Sequence, residues 1–308
     1  MAAMAWQTTG DVTEFLAAAG PYLRRERVRN TVILSVTETM RVNAAASAGT
    51  SSPAAGHPES ASSDGADGQA ARPLFGWWSD QPGAVAGAFM HTPPFPVVLT
   101  EVALEGAAEL AAVTMAGRPL VGVNAHPEVA EAFADGWRDG SRGGPVDVHR
   151  RQRLYRLAEL VWPDPAPAGR ARMARDADAK LTADWFAAFA DEVDDMGRGE
   201  DQSVAARAKI SQAGVMVWEA DGQPVSIACT TLPVTGMVRI GPVYTPPEAR
   251  GHGYASAATA ALSQRVLEAG AEEVVLFTDL ANPVSNSIYQ RIGYRPVEDR
   301  VVLAFSAG

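Results

Sequence analysis

A strand, a glycine-bearing turn and a long alanine-rich helix follow one another between residues 237 and 270, and this succession constrains the chain more than any other feature. The apolar run 237–243 reads as the strand and Pro246-Pro247-Glu248-Ala249-Arg250-Gly251-His252-Gly253-Tyr254-Ala255 as the turn. The period carried by Ala258, Leu262 and Val266 reads as a helix that stops at Gly270. The first amides of a helix have no carbonyl behind them, and glycine lets backbone approach an oxygen-rich anion with no Cβ in the way. Gly251, Gly253 and Ala255 are therefore candidate amide donors, aided by the positive end of the helix and by Arg250. The ligand this predicts is a phosphate ester. The turn is no Walker loop, since Gly-Lys-Ser/Thr does not follow. It also comes too late, after several strands, for the early glycine fingerprint of a dinucleotide fold.

Arg250, Gly253 and Ala255 fill each specified position of the pattern Arg/Gln-x-x-Gly-x-Gly/Ala. A strand over 273–278 is then followed by Asn282-Pro283-Val284-Ser285-Asn286-Ser287-Ile288-Tyr289-Gln290-Arg291-Ile292-Gly293-Tyr294. This second stretch is similar to Asn-x-x-Ala-x-x-Leu-Tyr-x-x-x-Gly-Phe with conservative replacements. On these two motifs the chain resembles the GCN5-related N-acetyltransferase (GNAT) superfamily, of a bacterial two-domain type with a degenerate N-terminal half. The resemblance implies acetyl-CoA as acyl donor and direct transfer of the acetyl group to the amine of a small molecule. It implies cofactor contacts from Val243 and Tyr244 at the end of a splayed central strand. Further contacts are implied from Arg250, Gly251, His252, Gly253, Tyr254 and Ala255 in the loop, and from Asn282 and Ser285 in the second motif. His252, the loop's variable position, is read as facing solvent. Backbone amides near Val243 would polarise the thioester carbonyl as the amine attacks, and Tyr289 would protonate the departing CoA thiolate.

The same residues have plainer readings. Asn282 alone reads as a helix cap, with Pro283 in the first turn. Ser285 and Tyr289 share a helix face at i, i+4 spacing, and a tyrosine there packs in most proteins. Cys229 follows an apolar run with no histidine near it in sequence, so it reads as a buried thiol rather than an acylated nucleophile. The general base stays open. Many superfamily members place a glutamate on the central strand, whereas 237–244 holds no carboxylate and only Arg239 as a charge. Asp279 and Glu219 are substitutes, and a water relay or an amine arriving neutral needs neither. The missing carboxylate keeps a second class open, a non-catalytic acyl-CoA-binding or structural and regulatory protein.

A net charge of -10 argues against a nucleic-acid surface. One cysteine forbids an internal disulfide and a thiolate metal cluster, which predicts a reducing compartment and no metal. The N-terminus lacks a basic-then-apolar order, and no run approaches the ~20 apolar residues that cross a bilayer. A cytoplasmic protein with no membrane partner is expected.

The length of 308 residues predicts two domains, and 47% apolar residues with seven tryptophans can fill two cores. We expect an α/β (α+β) fold, a mixed twisted sheet flanked by helices, in two tandem copies. The expected bounds are 1–162 for a degenerate half, 163–169 for a Pro/Ala/Gly-rich hinge and 170–308 for a catalytic domain. Within the first half, helices are expected near 12–19, 30–42, 104–115 and 127–137, and strands near 75–78, 85–90, 95–99, 120–123 and 146–160. Residues 43–71, nearly all small or polar, read as a surface insertion. The strand-to-helix junctions of the first half are read at Ala116-Gly117-Arg118 and Asn124-Ala125-His126, neither carrying the phosphate pattern. Trp77, Trp78, His91 and Tyr155 are candidate acceptor-pocket residues, with core packing as the alternative. The degenerate half would close the acceptor cleft or form the face of a homodimer.

Overall fold

The computed structural model describes residues 5–50, 72–81, 83–140, 144–193 and 201–306. They form two compact units, Met1–Arg151 with Asp299–Gly308, and Gln152–Glu298.

The first unit contains β1 (Ala5–Thr9), α1 (Val12–Arg25), α2 (Thr31–Thr50), β2 (Leu74–Gln81), β3 (Ala84–His91) and β4 (Val97–Leu99). It continues through α3 (Leu104–Glu109), a π-helical turn (Leu110–Thr114), β5 (Gly122–Ala125) and α4 (Pro127–Gly140), and it takes in the end of β12 (Tyr294–Phe305). Helix α1 starts at Asp11, whose carboxylate accepts from the amides of Thr13 and Glu14 at 2.6 and 3.0 Å. These bonds hold the Asp11 carboxyl below its usual range. Phe15, Ala19 and Leu23, one helical turn apart, are fully buried, and Phe15 stacks on Phe75 at 5.2 Å. The strands run β1-β2-β3-β4-β5-β12, with β4 and β5 parallel and the other pairs antiparallel. Trp78, Phe89, Leu99, Val123, Phe133, Leu303 and Phe305 form the core beneath α3 and α4.

The second unit receives β6 (Val146–Leu157) from Gln152 onward. It continues with β7 (Arg170–Met173), α5 (Ala179–Glu192), α6 (Ser203–Ser211), β8 (Val215–Ala220), β9 (Gln223–Thr230), β10 (Met237–Tyr244), α7 (Tyr254–Glu268), β11 (Glu273–Asp279) and α8 (Pro283–Arg291). The strands run β6-β11-β10-β9-β8-β7, and only β10 and β11 are parallel. The period of two sorts side chains to both faces. Val215, Val217, Ile227 and Cys229 pack with Phe186 and Ile210 of α5 and α6. Met216, Trp218, Ala228 and Ile240 pack with Ala257, Ala258, Leu262 and Tyr289 of α7 and α8. This is the expected α/β arrangement, a mixed sheet flanked by helices.

Several sequence expectations change. Residues 43–50 continue α2, in keeping with the helix propensity of their alanines, and the rest of the expected insertion lies outside the described residues. Strands β1 and β12 were not anticipated. The units also divide elsewhere than at 163–169. Strand β6 precedes that segment yet pairs with β11, Tyr155 opposite Leu276 and Gln152 opposite Asp279, whereas β12 pairs with β5, Val301 opposite Ala125. Segment 163–169 is fastened within the second unit. The Trp218 indole donates to the Ala168 carbonyl at 3.0 Å, and just before the segment the Trp162 indole donates to Gln264 Oε1 at 3.0 Å. The apolar alternation of a strand reveals one buried face but not its partner, so this exchange is invisible in sequence. Trp78 and His91 are core residues of the first unit, and Tyr155 is a core residue of the second. Burial, with Arg118 nearby, pushes the His91 imidazole down to about 4, so it stays neutral. Among the described residues no helix is long and apolar enough to cross a membrane.

Candidate functional site

The site is built where the parallel pair opens. Strands β10 and β11 pair from Met237↔Glu273 to Ile240↔Leu276, after which β10 runs on to Tyr244 and β11 to Asp279 without further pairing. On its other side β10 keeps to β9, after a register shift between Ile240 and Val243. The buried Ser226 hydroxyl donates to the Tyr244 carbonyl at 3.1 Å and lies 2.8 Å from Thr245 Oγ1, tying the strand end toward β9. Pro242, with no amide, sits where the ladder breaks. The divergence leaves a wedge bordered by Val243 on one strand and the end of β11 on the other.

The loop between β10 and α7 follows directly. Gly251 and Gly253 have φ of 82° and 81°, left-handed values that a side chain resists. Gly253 is the N-cap of α7 and supplies no side-chain acceptor, and the first helical bond is donated by the Ala257 amide to the Gly253 carbonyl. Among the described residues no acceptor meets the amides of 251–256. These amides, glycine-bared and at the positive end of a long helix, fit a doubly charged pyrophosphate. His252 is exposed, with its ring parallel to Tyr254 at 5.5 Å and Nδ1 3.3 Å from the Ala249 carbonyl.

Arg250 is not extended into open space. Its Nη2 donates to both carboxylate oxygens of Glu192, at 2.6 and 2.8 Å, and its Nε donates to the Thr245 carbonyl at 2.9 Å. The Tyr244 hydroxyl also donates to Glu192 at 3.4 Å, and the guanidinium lies 6.0 Å from the Tyr244 ring centroid. Glu192, the last residue of α5, gave no signal in the sequence because only the fold brings it to the loop. An exposed ion pair of this kind is worth about 1 kcal/mol or less. Glu192 and the Thr245 carbonyl thus take up Nη2 and Nε, and the carboxylate offsets the positive charge that Arg250 presents to the loop. Glu192→Gln is accordingly expected to tighten acetyl-CoA binding about threefold, measured by calorimetry.

The second motif lies on α8, the helix that follows β11. Asn282 caps the helix, its Oδ1 accepting from the Ser285 amide at 3.0 Å, which is the plain reading of that residue. Tyr289 is buried with its ring edge-on to Tyr294 at 6.1 Å, and its hydroxyl meets no hydrogen-bond partner among the described residues. Burial pushes its phenol up to about 12. At neutral pH it is a neutral proton donor with its donor capacity unspent.

Of the possible bases, Glu219 is engaged by Arg170 at 2.9 Å and Arg172 at 2.6 Å, which hold it ionised and below the usual carboxylate range. Asp279 ends β11, beyond its last pair with β10, and its Oδ1 accepts from the Ala281 amide at 2.8 Å. Cys229 is fully buried with its thiol pushed up to about 12, which removes it as a nucleophile. Among the described residues no group of His, Cys, Asp and Glu is arranged to hold a metal.

The open parallel pair, the bare amides and the phenol occur in order on strand, loop and helix. Residues 174–294 match the acetyltransferase (GNAT) family. Among solved structures, a Drosophila protein aligns over 99% of both chains with a TM-score of 0.65 at 13% identity. A GCN5-related N-acetyltransferase from Kribbella flavida aligns over 73% of this chain and 89% of its own, with a TM-score of 0.51 at 22% identity. A GNAT-family acetyltransferase from Colwellia psychrerythraea gives 0.50 over 76% and 85% at 12% identity. At these identities the likeness is one of fold. No curated protein sequence matches the chain.

Proposed function

We propose that the chain is an acetyl-CoA-dependent N-acetyltransferase that moves the acetyl group directly to the amine of a small molecule. The observation that supports this is the succession of a β10–β11 pair that ends at Ile240↔Leu276, bare amides at 251–256 in the loop that follows β10, and a buried neutral phenol, Tyr289, on the helix that follows β11. The match over 174–294 supports it. In this reading Gly251, His252, Gly253, Tyr254 and Ala255 hold the pyrophosphate through backbone amides, aided by Arg250. The backbone of Val243 and Tyr244 lines the pantetheine arm and polarises the thioester carbonyl. Asn282 and Ser285 shape the second side of the wedge. Tyr289 delivers its proton to the sulfur as the thiolate leaves, so charge is quenched where it forms.

The first unit is read as a degenerate copy of the second. Its parallel pair β4–β5 is joined through α3 and followed by α4, as β10–β11 is joined through α7 and followed by α8. The junction before α3 is Thr100-Glu101-Val102-Ala103, not the later positions read from sequence, and it carries no glycine. That unit has no phosphate loop in this reading.

Gly253→Val tests the loop independently of catalysis. A β-branched residue resists φ of 81°, a strain of about 1–3 kcal/mol that is relieved by turning the amides away from the anion. The acetyl-CoA Kd is expected to rise about 30-fold, which corresponds to about 2 kcal/mol. Wild-type affinity in a folded Gly253→Val protein would refute the loop assignment. Saturable acetyl-CoA binding without thiol release for any amine would favour the non-catalytic reading that the carboxylate-free β10 keeps open.

A further inference from the structure

Tyr155 of β6 is fully buried in the second unit and sits opposite Leu276 of β11. Its hydroxyl donates to Asn286 Oδ1 at 2.9 Å and accepts from Gln290 Nε2 at 3.0 Å. Asn286 Nδ2 in turn donates to the carbonyls of Asp279 and Asn282, each at 2.8 Å. One connected set of bonds therefore ties β6, the end of β11 and the length of α8 together. Asn286 and Gln290 share a helix face at i, i+4 spacing, and Tyr289 adjoins that face, its ring in the same apolar cluster as Tyr155. With no partner on its own hydroxyl among the described residues, Tyr289 is placed by wherever α8 rests. This network, buried at Tyr155 and open at Gln290, fixes a rest position, and removing the Tyr155 hydroxyl takes that partner from Asn286 Oδ1 and Gln290 Nε2.

We propose that Tyr155 is a positioning residue for acyl transfer. A strand laid down before segment 163–169 holds α8, and through it the Tyr289 hydroxyl, at the open end of the parallel pair. The inference rests on the reading of Tyr289 as the acid, and in it Tyr155 touches no reacting atom. It gives a role to residues 152–157 of β6, which belong to the unit that carries the glycine loop although the sequence places them with the other half.

The test measures kcat, acetyl-CoA KM and thermal midpoint for Tyr155→Phe, Tyr289→Phe and the double variant in the full chain. Misplacing an acid by a fraction of an ångström predicts a kcat about tenfold lower for Tyr155→Phe with KM within about twofold. The double variant should be no slower than Tyr289→Phe alone, because the first change acts through the second residue. Losses that multiply, or a Tyr155→Phe protein of full kcat beside a slowed Tyr289→Phe, would overturn the positioning role and leave the acid standing. Full activity of Tyr289→Phe would overturn both. Should Tyr155→Phe fail to fold, Gln290→Met at the exposed end of the same network should lower kcat about threefold with the same non-additivity. An unchanged kcat there would overturn the proposal.

Discussion

Residues 170–308 expressed alone are expected to give no cooperatively folded protein, although they contain the whole loop and both motifs. The fragment lacks β6, so β11 loses an antiparallel neighbour and becomes an edge. It also loses Leu154, Tyr155 and Leu157 from the core, each worth roughly 1.5–3 kcal/mol of burial. At the other end Val301, Leu303 and Phe305 lose the core they fill, including the stack of Phe305 on Trp137 at 4.4 Å. Against a total stability of about 5–15 kcal/mol for a domain, these losses suffice. Near-ultraviolet circular dichroism and a thermal scan decide the matter. A sharp unfolding transition with native aromatic signal from 170–308 would show that the strand exchange is dispensable.

Tyr289→Phe should lower kcat about 100-fold, the lower range for loss of a positioned acid, with the acetyl-CoA Kd within about twofold. The ring stays packed against Tyr294, and the deleted hydroxyl has no hydrogen-bond partner among the described residues, so stability should change little. The pH dependence follows from the direction of the shift. Burial raises the phenol to about 12, so the acid form persists through neutral and alkaline conditions, and activity should rise with amine deprotonation without an alkaline fall from this group near pH 10. The stability linkage has the same sign. Below the unfolded value near 10 the contribution is complete, and it is lost as pH rises toward about 12. A Tyr289→Phe protein with wild-type turnover at every pH would remove this residue as the acid.

Local conformation is legible in the sequence where one short stretch encodes it. Gly251 and Gly253 announce a left-handed turn, and the alanines after them announce a helix that lies close to a sheet, because each rule acts within a few residues. Tyr289 could be placed on a helix face by spacing alone. What escaped depends on partners distant in the chain. Glu192 reaches Arg250 only because α5 ends beside the loop, and nothing in the residues around Glu192 marks it. Tyr155 was singled out as an aromatic, but its bonds to Asn286 and Gln290 require β6 to cross into the unit that follows it. The Pro/Ala/Gly composition of 163–169 reads as a hinge between domains, whereas the segment lies within the second unit, and composition says nothing of the indoles of Trp162 and Trp218 that fasten it. The exchange of β6 and β12 between units is a choice of pairing, and a strand's own alternation is compatible with either neighbour.

Calorimetric titration of the full chain with acetyl-CoA, run beside an assay of CoA thiol release over a panel of primary amines, tests the central claim most directly. The account predicts saturable binding and thiol release that depends on the amine. Absence of any acetyl-CoA binding by the folded chain would contradict it, because the bare amides at 251–256 and the open end of the β10–β11 pair would then have been given the wrong ligand.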